Sequence, residues 1–216
     1  MKLINKMLRA ARADRIPEGT SGRWTVKKHT FKQDFWARNP DPDLMDEIIP
    51  AGTYTSLHCM TESTMHLIGE LIMHDVPHEL KTHLNFMLRA RGRVLINGLG
   101  LGCVVRGVLK NPEVTHVTVI ERSRDVLKLV QPYMPKTGRL IIIKADALRY
   151  AEETKEKFDC AWNDLWNDED KEERALALIH ADLMVKLRRK VQFQGAWAMP
   201  RYFRNAMNRT GKAVII

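Results

Sequence analysis

Beyond residue 92 the chain alternates short apolar runs with longer amphipathic stretches. The runs are VLIN at 94–97, HVTVIE at 116–121, RLIIIKAD at 139–146 and FDCAWND at 158–164; CVVRGVLK, SRDVLKLVQPYM and DALRYAEETKEK lie between them. Four such runs joined by helix-length connections predict a parallel sheet covered on both faces, with right-handed crossovers. After residue 168, EERALALIHADLMVKLRRK predicts one long helix with Ala175, Leu178, Leu183 and Leu187 among its apolar positions, and VQFQGAWAMP predicts a fifth strand near 191–198. The remaining RYFRNAMNRTGKAVII has room for a short helix and a terminal strand.

The first part of the chain has a different rhythm. Leu3, Ile4, Met7 and Leu8 recur at helical spacing, which predicts a short amphipathic helix packed on the core. Residues 17–50 are irregular, with Trp24, Phe31, Phe35 and Trp36 among basic residues and short strands expected around 24–26. Leu57, Met60, Met65, Leu67, Ile68, Leu71 and Ile72 suggest helical structure over 54–73, broken near Gly69 or Asp75. Asp75 can then cap a helix that admits Pro77 in its first turn and ends near Gly92, with Leu80, Leu84, Met87 and Leu88 as its buried stripe. The expected division is an N-terminal extension and substrate lid at 1–77 and a sheet domain at 78–216.

Composition narrows the class. The 216 residues are 44% hydrophobic and 28% charged, an ordinary balance for one sizeable core. No run reaches the roughly 18 apolar residues of a membrane span, and the basic amino terminus lacks a signal peptide's apolar centre, so a cytoplasmic protein with no membrane partner is expected. Cys59, Cys103 and Cys160 show no ligand spacing and read as small buried hydrophobes. The 35 Lys and Arg against 26 Asp and Glu give +9, which leaves a nucleic-acid partner open through the basic residues at 24–32, 89–93 or 186–204. His66, His74, His78 and His83 lie close in sequence, but Pro77 interrupts them and no acid completes a ligand motif, so no metal is expected. No serine stands in a GxSxG turn.

The chemistry concentrates at the end of the first run, in VLINGLGLG. Gly98, Gly100 and Gly102 alternate there, which lets the chain turn sharply and lets a ligand touch its backbone before the next helix begins. Glu121 ends the next run nineteen residues beyond Gly102, where a carboxylate can accept hydrogen bonds from two ribose hydroxyls. Asp146 ends the third run, either accepting from an exocyclic adenine amine or capping the helix that begins at Ala147. Leu99 and Leu101 offer apolar contact, and Arg122 or Ser123 borders the adenine edge. Asn163, Asp164 and Trp166 follow the fourth run. There Asp164 is either a general base or amine-orienting group, or a cap; Trp166 either stacks on a planar substrate or belongs to the core.

Residues 93–166 resemble the nucleotide-binding core of class I S-adenosylmethionine-dependent methyltransferases, and the segment from VLINGLGLG to FDCAWND is similar to the corresponding region of spermidine synthases. The resemblance implies a Rossmann-like, doubly wound, mostly parallel α/β sheet with helices on both faces, an N-terminal helical extension and a reduced C-terminal strand pair. It implies S-adenosyl-L-methionine as cofactor, with Asn97, Gly98, Leu99, Gly100 and Gly102 around its methionine part, Glu121 on the ribose, Arg122, Asp146 and Ala147 beside adenine, and Asn163 as a further cofactor-binding residue at the end of the fourth run. The leading expectation is methyl transfer to an unidentified small-molecule, nucleic-acid or protein acceptor, with Asp164, Trp166 and Tyr54 meeting the substrate under a lid at 53–77 and His58 and His66 as further proton acceptors. Aminopropyl transfer from the decarboxylated cofactor and noncatalytic cofactor binding are the alternatives. Two departures stand out: Ile96 and Asn97 precede the first glycine where many methyltransferases have an acid, and Leu101 stands where spermidine synthases carry aspartate. A homodimer covering the open sheet edge is a further expectation.

Overall fold

The computed structural model describes residues 1–37, 47–60, 69–165 and 173–197. Its first elements are helix α1 (Lys2–Ala11) and strands β1 (Gly19–Ser21), β2 (Trp24–Phe31), β3 (Phe35–Ala37), β4 (Glu47–Ile49), β5 (Gly52–Cys59) and β6 (Glu70–His74). β1, β2, β5 and β6 pair antiparallel in that order, while β3 and β4 form a separate two-stranded ribbon.

The helix expected over 54–73 is therefore corrected to two strands. The apparent helical period straddled β5 and β6, whereas the local sequence TYTSLHC is rich in the β-branched and aromatic residues that suit a pleated, half-buried surface. β5 pairs along its whole length with β2 and also with β6, so its backbone groups are satisfied in the sheet. Met65, Leu67, Ile68 and His66 lie outside the described residues.

Helices α2 (Pro77–Thr82) and α3 (Leu84–Arg89) follow, then β7 (Gly92–Asn97), α4 (Cys103–Val108), β8 (Val114–Glu121), α5 (Arg124–Val130), β9 (Leu140–Lys144), α6 (Ala147–Glu153), β10 (Phe158–Asn163), α7 (Glu173–Leu187) and β11 (Val191–Ala196). The five later strands form one parallel sheet in the order β11, β10, β7, β8, β9. This is the doubly wound, Rossmann-like arrangement, with α1 as the N-terminal helical extension. Strands buried on both faces explain the continuous apolar runs. Val94 and Ile96 of β7 enter one core with Met7, Phe86, Val104 and Val126, while Leu95 enters another with Ala147, Ala151, Leu183 and Leu187. Each such Val, Leu or Ile contributes about 1.5–3 kcal/mol by leaving water. Val26 and Leu57 from the antiparallel sheet join the first core, which seats that sheet against the glycine-turn side.

Two local expectations in the connecting segment change. Asp75 is not the helix cap: Val76 holds that position, and the fully buried Asp75 carboxylate accepts from the backbone N–H groups of Thr55 and Ala13, each at 2.7 Å, and from Arg12 Nε at 2.9 Å. It ties α1 to β5. The single helix expected up to Gly92 is divided at His83, and the break changes the phase of the buried face. Phe86 and Met87 point inward beyond it, whereas Leu88 is exposed. The expected terminal strand and reduced strand pair lie among residues 198–216, outside the described residues.

Candidate functional site

A cavity of about 220 Å³ opens at the carboxyl ends of β7, β8, β9 and β10 and is roofed by side chains of the antiparallel sheet and of α2. Its floor is the glycine turn. At Gly98, φ is +97° and a Cβ would lie 2.1 Å from the carbonyl oxygen of Asp164; at Gly100, φ is +49° and a Cβ would lie 2.4 Å from Met73 Sδ. At Gly98 the obstacle is backbone, and at Gly100 Met73 would have to move to make room in a left-handed conformation that favours glycine, so the backbone itself faces the cavity. Gly102 is the N-cap of α4 and does not line it.

Glu121 closes one side of this turn. Its Oε2 accepts from the Leu99 N–H at 2.9 Å and its Oε1 from the Ser123 N–H at 2.7 Å, with the side chain only 8% exposed. Burial raises its pKa above the ordinary carboxylate value, an effect partly opposed by those two backbone donors. Each oxygen retains a lone pair for a ligand hydroxyl. On the opposite side, Met73 of β6 extends its sulfur to the Leu101 N–H at 3.0 Å.

Asp146 caps α6 by accepting from the Arg149 N–H at 3.0 Å, and it also lines the cavity with Ala147, Leu99, Arg122 and Ser123. Asn97 and Asn163 do not line it. They are fully buried at adjacent strand tips, where Asn97 Nδ2 donates to Asn163 Oδ1 at 2.8 Å and Asn163 Nδ2 donates to the Gly195 carbonyl at 3.2 Å. They tie β7, β10 and β11 together beneath the turn. Asp164 lines the cavity and accepts from Trp162 Nε1 at 3.4 Å.

The structure does not bring Tyr54 to the cavity. Its hydroxyl donates to the Pro50 carbonyl at 2.8 Å, and its ring packs with Ile49, Val76 and Phe31. Residue 54 points away because alternate positions of a strand face opposite sides, and Leu57 takes the cavity-facing side of β5. His58 shares Tyr54's face, where Ser56 Oγ bridges it at 2.8 Å to His29 at 2.7 Å. Trp166 lies outside the described residues.

Sequence reasoning missed Trp24, Met73, Glu79, His83, Trp162 and Trp197 as lining groups. Glu79 and His83 are four apart, the spacing that puts two side chains on one helical face, and this was the available signal. Glu79 accepts from the His74 backbone N–H at 3.0 Å and pairs with His74 Nδ1 at 2.6 Å. Burial disfavours the His74 charge, but the Glu79 hydrogen bond and charge outweigh it and raise the His74 pKa. The charged groups among the described lining residues are Glu79, Glu121, Asp146, Asp164 and Arg122. Four carboxylates against one guanidinium make an acidic cavity in a chain of net charge +9. Such a site favours a cationic ligand.

The spermine/spermidine synthase domain model matches residues 66–195. A polyamine aminopropyltransferase of Ruegeria sp. (strain TM1040) is 36% identical over 90 residues, which are 38% of this chain and 32% of that protein. One from Pseudomonas syringae pv. tomato is 33% identical over 95 residues, 40% of this chain and 33% of that protein. The matched segments thus span about a third of the length of these relatives. Among solved structures, spermidine synthase from Thermotoga maritima is 18% identical, with a TM-score of 0.41 covering 68% of this chain and 46% of that one. The N-methyltransferase NodS from Bradyrhizobium japonicum WM9 is 14% identical, with a TM-score of 0.41 covering 53% and 61%. Among the described residues no helix is long and apolar enough to cross a membrane.

Proposed function

The chain belongs to the spermine/spermidine synthase domain family, and from that premise we propose that it binds an adenosyl sulfonium at the tips of β7, β8 and β9 and transfers the aminopropyl group to an amine. The observation that carries this reading is the acidic lining of the cavity around a turn open to ligand contact at Gly98 and Gly100. A sulfonium and an ammonium both gain from four carboxylates in a partly enclosed site, where charges are weakly screened. Glu121 would accept from the ribose hydroxyls and Asp146 from the adenine amine. When bound, the sulfonium supplies an activated carbon, and the protein's share is to orient an amine in line with it and exclude water.

Met73 favours the decarboxylated form. A tail carboxylate beside Gly100 would need donors, but the Leu101 N–H is taken by Met73 Sδ and the Leu99 N–H by Glu121. Glu79, another carboxylate of the lining, would repel it. The names of the matched relatives support the same choice over methyl transfer. Methyl transfer is the second reading, favoured by the buried, apolar Leu101 at the turn.

Incubation of the protein with S-adenosylmethionine or its decarboxylated form, together with putrescine or spermidine, separates the readings by mass spectrometry. Methylthioadenosine and an aminopropylated amine are expected, from the decarboxylated form alone. S-adenosylhomocysteine as the sole nucleoside product would establish methyl transfer instead. Calorimetric binding without either product would leave a noncatalytic binding protein.

A further inference from the structure

Helices α1, α2, α3 and α4 pack against one another as one layer. Between them they carry six Lys and Arg, namely Lys2, Lys6, Arg9, Lys81, Arg89 and Arg106, against one acid, Glu79. Glu79 is already committed to His74 and to the cavity, and Arg106 is buried, donating to the Leu101 carbonyl. The other five cations are exposed, and none of them forms an ion pair among the described residues. Helices α5, α6 and α7 have a different character. They carry five Lys and Arg against five Asp and Glu, and ion pairs join Arg149 to Glu153 and Lys186 to both Asp182 and Glu152. Among the helices, the net positive charge therefore sits on one layer.

A row on α1 decides what this layer suits. Lys2, Lys6 and Arg9 stand at i, i+4 and i+7 on its exposed side, while Met7 and Ala11 are buried and Leu3 and Leu8 pack against the core. The apolar stripe that would enter a membrane is thus used inside the protein, and the exposed side is left with Asn5 and three cations, without an acid. Seven residues of helix rise about 10.5 Å. One strand of a B-form duplex places a phosphate about every 3.4 Å along its axis, so the three cations lie over about three phosphates.

We propose that the outer face of α1–α4 binds the phosphate backbone of a nucleic acid without reading its sequence. Lys2, Lys6 and Arg9 form the central row, and Lys81 and Arg89 add cations on the helices packed beside α1. Contacts to phosphate fix position, gain from counterion release and carry no sequence information. The cavity has the opposite sign, since its four carboxylates against one guanidinium disfavour phosphate there. Nucleic-acid binding on this face is independent of the transfer reaction proposed above.

Fluorescence anisotropy of the full chain with labelled DNA and RNA duplexes, titrated between about 50 and 200 mM salt, tests this. Binding to either duplex is expected, with log K falling linearly in log salt by about 0.9 for each phosphate contacted. Lys2→Ala, Lys6→Ala and Arg9→Ala together should lower that slope by about 2.7 and weaken low-salt binding by about tenfold or more. Alanine is the best helix former, so α1 is kept. Arg124→Ala, Lys128→Ala and Arg149→Ala together change the net charge equally, and affinity there should stay within about threefold, since exposed charges beyond a Debye length from the ligand are screened. Equal losses in the two triple variants would overturn the proposal by showing a response to net charge alone. So would an absence of wild-type binding to both duplexes at low salt, or binding confined to phosphatidylserine vesicles.

Discussion

Met73 Sδ accepts the backbone N–H of Leu101 at 3.0 Å and occupies the space that a side chain at residue 100 would need. A thioether is a weak acceptor, so this contact both fills the turn and leaves it without a strong charge. Met73→Ala should free the Leu101 N–H for a tail carboxylate. A hydrogen bond to a charged group contributes about 1.5–3 kcal/mol. The preference for decarboxylated over carboxylated S-adenosylmethionine should therefore fall by about tenfold or more. Titration calorimetry with both ligands measures the ratio, and an unchanged ratio removes Met73 from the selection.

Glu121 ties protonation to stability. Its native pKa is raised by burial above the ordinary 4.5, so the unfolded chain releases this proton first as pH rises. Its contribution is most favourable below about the unfolded value and declines as pH climbs through the native one. Thermal melts of the wild type and Glu121→Gln across pH 4–8 should show the wild type losing ground to the variant as pH increases. A difference that stays constant across this range would contradict the burial argument. The same substitution should weaken adenosyl binding, since an amide offers one acceptor oxygen where the carboxylate has two.

Gly98 answers to backbone rather than to side chains. A methyl there would press on the Asp164 carbonyl oxygen in a conformation that L residues rarely adopt. Gly98→Ala should cost about 1–3 kcal/mol from the dihedral alone, with the backbone clash added. Denaturant unfolding should register that loss, together with weaker ligand binding in whatever fraction remains folded.

Tyr54 serves the antiparallel sheet rather than the cavity. Tyr54→Phe removes the hydrogen bond to the Pro50 carbonyl and should lower stability by about 0.5–1.5 kcal/mol. Steady-state assays should find kcat and KM unchanged within error. A large drop in kcat would place the hydroxyl at the reacting atoms after all.

The part of this protein legible in its sequence is the part held by near neighbours in the chain. Continuous apolar runs such as VLIN and HVTVIE marked strands buried on two faces, and alternating glycines followed by Glu121 marked the turn that floors the cavity, because strand period and glycine's conformational freedom are local properties. The roof of the cavity was decided by tertiary structure alone. Residues 54–59 fold as a strand because β2 and β6 satisfy their backbone, Met73 reaches a turn 28 positions away, and Tyr54 is turned from the site by the register of its strand. His83 was visible as one histidine among several in a row. That neither of its ring nitrogens has a hydrogen-bond partner among the described residues could be recognised only once packing against Trp162 had removed water from around them, since the cost of a polar atom depends on what surrounds it in space.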